Sequence, residues 1–106
     1  MHAGAAPLLD IVFEAAVIEW RGPAPFYFVA IPSEHLGEVS YAAREASYGW
    51  GCVPVTASIA SASFETSLFP KDGGYLLPLR AAVRVQAGIA PGDNVCVRMR
   101  IARVGA

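Results

Sequence analysis

His2 and His35 are the chain's two histidines, and Cys52 and Cys96 its two cysteines. Nucleophilic catalysis needs a base within hydrogen-bond reach of the nucleophile and a third group that orients the base. His2 sits in an N-terminal segment that reads as a loose tail, so Cys52–His35 is the one conceivable couple, and nothing in the sequence orients that histidine. No His, Cys or carboxylate cluster has metal-ligand spacing. Lys71-Asp72-Gly73-Gly74 signals a turn rather than a phosphate loop, because no Gly-Lys-Ser/Thr follows at a helix start. No two acids fall where strand alternation would pair them for general acid–base work. These residues do not read as an enzyme's, and no cofactor or metal is expected.

A ligand site is the remaining chemical reading. Ser67, Lys71, Tyr75 and Arg84 come from one stretch and offer donors beside apolar walls, as a small-molecule or anion site requires. Trp50, between Gly49 and Gly51, reads first as a core plug and second as a platform beside that site. The structural alternative is that Lys71 and Tyr75 border a turn while Arg84 pairs with a carboxylate. The expected role is a binding or interaction module for a partner protein or a small ligand, with a homo-oligomer among the partners considered; the alternative is a weak anion or nucleic-acid binder or a minor enzyme of unknown reaction.

Charge is distributed unevenly although the net value is −1. Seven acids and two arginines lie between Asp10 and Glu65, whereas five arginines and Asp93 lie from Arg80 onward. Such a basic end can mark a nucleic-acid surface, here through Arg98, Arg100 and Arg103. Aromatics are not interleaved with those arginines, which favours pairing with the acids of the first half across neighbouring strands.

Of the 106 residues, 55% are hydrophobic and 16% charged, a balance that points to an interface or an apolar cavity. The longest uncharged stretch, Ala46 to Phe64, is broken by Pro54, glycines and serines, which excludes a transmembrane helix there. The N-terminus lacks the basic region and long apolar run of a signal peptide, so a cytoplasmic home and two unbridged thiols are expected.

The elements that would position these residues are short. Residues 1–9 read as a flexible tail and 10–104 as one domain. Ile11 to Trp20 reads as a strand with Ile11, Phe13, Ala15 and Val17 on one face. The apolar run Phe26 to Ile31 suits a strand covered on both faces. Pro32-Ser33-Glu34 starts a helix with Ser33 as cap, and Leu36, Val39, Ala43 and Ala46 line its inner side. Val53–Ile59, Ser63–Phe69 and Tyr75–Leu77 read as strands. Pro78 then opens a second helix that Gly88 ends with a left-handed cap. In the last strand, Asn94 to Arg103, Val95, Val97, Met99 and Ile101 face inward. The order ββαβββαβ predicts a closed six-stranded β-barrel with two short helices, its first and last strands paired and Glu14 brought toward Arg98 or Arg100.

Gly49-Trp50-Gly51-Cys52-Val53-Pro54-Val55 and Thr66 through Leu79 resemble a small bacterial and archaeal family, as do Val83-Arg84 and Gly92-Asp93 with Val95 and Val97. That family is known as domain of unknown function number nineteen-oh-five, and the resemblance runs from about Phe13 to Ile101. It implies a six-stranded barrel and supplies no reaction or catalytic residues. Some members carry a second domain of the YdeI/OmpD-associated bacteriocin-resistance type. The chain has Ala60-Ser61-Ala62 where the family often has glycines.

Overall fold

The computed structural model describes residues 6–46 and 51–103. Seven strands follow in chain order: β1 Leu9–Ala16, β2 Ile18–Trp20, β3 Phe26–Ala30, β4 Val53–Ile59, β5 Ala62–Lys71, β6 Gly74–Pro78 and β7 Asn94–Ile101. Helix α1, Leu36–Ala46, lies between β3 and β4 behind a 3-10 turn at Ser33–His35, and α2, Ala81–Ala87, lies between β6 and β7. All pairings are antiparallel, in the order β1-β7-β4-β5-β6-β3-β2.

The two end strands of this sheet, β1 and β2, are separated in the chain by Val17 alone. The sheet therefore curls until its ends approach each other. The result is a curled half-barrel of seven strands, not the closed six-stranded barrel expected from the sequence. The single strand expected over Ile11 to Trp20 breaks at Val17, whose N–H donates to Asp93 O and whose carbonyl accepts from Gly92 N, both at 2.8 Å. Before this point the chain pairs with β7, and after it with β3. Each half keeps one ladder, and none joins β1 to β2.

Strand alternation sets the core. Leu9, Ile11 and Phe13 of β1 meet Val97, Met99 and Ile101 of β7 in register, all buried. Val53, Val55, Ala57 and Ile59 of β4 and Leu68 of β5 continue that layer, and Val39, Ala42, Ala43 and Ala46 of α1 close over it. Every buried side chain among the described residues is apolar.

Local signals explain the turns. Asp72 and Gly73 both have positive φ, 51° and 81°, between Lys71 and Gly74, which pair directly. Two positive φ values define the type I′ hairpin turn that Asp-Gly favours. At the end of α2, Gly88 has φ 67°, Ile89 N–H donates to Arg84 O at 2.9 Å and Gly88 N–H to Val85 O. Those two bonds make the Schellman cap anticipated from Gly88-Ile89.

Two helix starts differ from the expectation. Ser33 makes no side-chain cap; the chain enters α1 through the 3-10 turn after Pro32. Pro78 does not open α2 but ends β6 opposite Phe28, and the helix begins three residues later at Ala81. A proline at a strand end lacks only a donor that the finishing ladder does not use.

The outer face of the sheet has two characters. Over β1, β7 and β4 it carries Asp10, Glu14, Arg98, Arg100 and Thr56, all exposed. Over β2, β3, β6 and the end of β5 it carries Ile18, Trp20, Phe26, Phe28, Pro78 and Phe69. The rings of Phe26 and Phe28 lie 5.5 Å apart and those of Phe26 and Phe69 5.7 Å apart. Leu76, on the same face, is buried yet stands outside the main core cluster, because side chains of the outer face cover it. The run Phe26–Ile31 is thus not covered on both faces as expected: Val29 and Ile31 are buried on the inner side, whereas on the outer side Phe26 and Phe28 are half-buried and Ala30 is exposed.

Candidate functional site

An apolar interior restricts any polar site to the surface, and α2 frames the best-built one. Leu79 N–H donates to Tyr27 O at 2.9 Å, which ties the approach to α2 against β3. One turn into the helix, Arg84 turns back over β3. Its Nε donates to Leu79 O at 3.2 Å, and its Cζ lies 3.6 Å from the Tyr27 ring centroid. A guanidinium over a tyrosine face is held by cation–π attraction, so this long side chain is fixed rather than free. The far end of Tyr27 is anchored too, its hydroxyl donating to Glu19 Oε2 at 3.0 Å. Glu19 itself pairs with exposed Arg21 at 3.4 Å.

Arg84 lines a cavity of about 290 Å³ together with Pro25, Phe26, Tyr27, Pro78, Leu79, Arg80 and Ala81. Arg80 is the extended N-cap residue of α2, and it lines the same cavity as Arg84. Among the described residues no carboxylate pairs with either. The cavity joins two cationic groups to an aromatic and proline wall, a combination that suits an anion carrying a flat apolar part.

The residues grouped as a ligand site from the sequence are spread out. Lys71 is exposed at the β5–β6 turn, and Tyr75 packs against the core near α1, its carbonyl accepting Ile31 N–H at 3.0 Å. Both lie at the Gly74 end of β6, whereas Arg84 lies beyond the Pro78 end, about 13 Å away along the strand. Ser67 is half-buried on the outer face opposite Pro54. Trp50 lies outside the described residues. Of the four that are described, Arg84 is the one in the cavity; its companions there, Tyr27 and Arg80, were not anticipated. Tyr27 is the lone hydroxyl in an apolar run, and that polar tip was the available signal.

The nucleophile couple is not assembled either. His35 Nδ1 faces Glu38 Oε1 at 3.2 Å, its Nε2 lies 3.8 Å from Glu34 Oε2, and its ring packs 6.1 Å from that of Phe13. Both nitrogens thus turn to carboxylates of its own helical segment. The thiol sharing a groove with His35 is Cys96, not Cys52, and it stands opposite Glu14 in the β1–β7 register. Cys52 and Cys96 are unbridged.

The C-terminal arginines are largely engaged internally. Arg98 donates to Asp10 through Nε at 3.1 Å and Nη2 at 2.9 Å, and Arg100 Nε lies 3.6 Å from the same carboxylate. The Arg98 hydrogen bonds hold the Asp10 carboxyl below the usual carboxylate range. Asp10, not Glu14, is therefore the cross-strand partner; Glu14 accepts from Asn94 Nδ2 at 3.2 Å instead. Arg103 Nε donates to Ala6 O at 3.0 Å.

Among the described residues no helix is long and apolar enough to cross a membrane. No curated protein matches the chain. A family model of unknown function matches residues 13–99, through the alternating strands, the Asp72-Gly73 turn and the α2 segment just described. The chain belongs to that family, the domain of unknown function DUF1905.

Proposed function

We propose that this chain is a small binding module whose ligand is an anion with a flat apolar part, taken between α2 and β3. The observation that carries this reading is Arg84, pinned across Tyr27 without a carboxylate partner among the described residues. An arginine already ordered loses little freedom when it binds, which favours recognition over a merely solvated charge. Arg80 adds a second cation, and Phe26, Pro25 and Pro78 form the apolar wall. The reading keeps the module in a reducing cytoplasm, in keeping with the unbridged Cys52 and Cys96.

Benzoate and inorganic phosphate are the probes. In an amide-resolved NMR titration, benzoate should shift the signals of Tyr27, Leu79, Ala81 and Arg84, phosphate should shift them less, and Arg84→Gln should remove the response. Shifts scattered over the surface, or unchanged in Arg84→Gln, would sink the proposal.

A further inference from the structure

The aromatic half of the outer face is a second surface, which borders the anion cavity and shares Phe26 and Pro78 with it. Trp20 is 57% exposed and Ile18 43%, and they sit side by side with the Phe26, Phe28 and Phe69 cluster. Across the ladders Ile18 faces Phe28 and Phe28 faces Pro78, while Phe69 faces Leu76 and Leu76 faces Ala30. The apolar residues are therefore contiguous over four strands. With strands ~4.8 Å apart and same-face residues ~6.7 Å apart, the patch covers roughly 400 Å². That is about half of the ~800 Å² one partner buries in a stable complex, and an apolar core ringed by a polar rim is the usual division of such an interface.

The rim identifies the occupant. The outward row of β5 runs Glu65, Ser67, Phe69, Lys71, with the acid at one end and the base at the other, about 20 Å apart. Both charges are exposed and neither has an ion-pair partner among the described residues. A two-fold contact requires a surface complementary to itself, each feature meeting its opposite across the axis. Laying one such face on another with the β5 strands antiparallel, about an axis level with Leu68, sets Glu65 of one copy against Lys71 of the other, twice. The same operation sets Phe28 against Ala30 and Phe69 against Ser67, large against small. We propose that this face binds a second copy of the chain, forming a two-fold dimer with the aromatic cluster at its centre.

Sedimentation velocity across a wide concentration series tests the proposal. The wild-type chain should associate to a dimer. Glu65→Lys and Lys71→Glu should each raise the dimer Kd by about tenfold, through like charges brought together. The combined swap should restore it, since the pair is rebuilt in reverse. Trp20→Ser should weaken the dimer while circular dichroism shows the fold retained. A wild-type chain that stays monomeric, or a dimer indifferent to the charge reversals or not restored by the swap, would overturn it. Both charges are exposed, so the swap variants report on association rather than folding.

Discussion

The indole of Trp20 occupies the space where a side chain on Gly22 would stand: a Cβ there would overlap Cζ3 and Cη2 of the ring. Gly22 is thus the seat of the most exposed aromatic of the outer face. The atoms in conflict belong to the far end of a side chain that solvent lets move. Gly22→Ala should therefore swing the indole outward at a stability cost of about 1 kcal/mol or less. Tryptophan emission should shift to the red while the unfolding midpoint changes little; an unchanged spectrum would show that the ring is not seated on Gly22.

Gly88→Ala should cost more, for a backbone reason. At φ 67° a Cβ meets no heavy atom within 4 Å, so crowding contributes nothing. The left-handed conformation alone costs an alanine about 1 kcal/mol. Urea denaturation should show that loss with an unchanged slope, and a neutral result would indicate that α2 can end without its cap.

Ala60→Gly should act in the opposite direction. Ala60 has φ 52° in the two-residue turn between Ile59 and Ala62, which pair directly. Positive φ at the first central position alone is the type II′ pattern, where glycine is preferred. Relief of strain, reduced by the greater freedom glycine gives the unfolded chain, should leave a gain of about 0.5 kcal/mol. A lower thermal midpoint in Ala60→Gly would contradict this account.

Asp10 gives stability a pH dependence with a definite sign. Its folded carboxyl is held below the unfolded value by the Arg98 hydrogen bonds, opposed in part by desolvation and aided by the charges of Arg98 and Arg100. The stabilisation is therefore present above the ordinary aspartate value near 4 and fades as pH falls through the lower folded value. In Asp10→Asn the stability should decline less on going from pH 5 to pH 2 than in the wild type. Parallel pH curves for the two proteins would show that the pair adds nothing measurable, as many exposed pairs do.

The sequence by itself determined what depends on neighbours in the chain. Alternation marks Val95, Val97, Met99 and Ile101 as the inner row of β7, and all four are buried. Asp72-Gly73 and Gly88-Ile89 specify their turn and cap, because positive φ selects glycine or a short polar residue wherever it is needed. The pairing of the first and last strands was legible as well, since such an apolar sheet needs partners for its edges.

Tertiary structure alone decided where the first strand breaks, which acid meets the arginines, and which residues gather at α2. Val17 reads like any other strand residue; only the Gly92–Asp93 turn hydrogen-bonded to it divides β1 from β2 and leaves a seven-stranded half-barrel. Either Asp10 or Glu14 could have served Arg98 by charge and alternation; the β1–β7 register sets Arg98 opposite Val12, midway between them, and Arg98 turns to Asp10, which lies opposite Arg100. Tyr27 and Arg84 are far apart in the chain, and no local propensity links them. Their contact exists because β6 carries the chain alongside β3 before α2 folds back, and long-range pairing of that kind leaves no mark in a stretch of sequence.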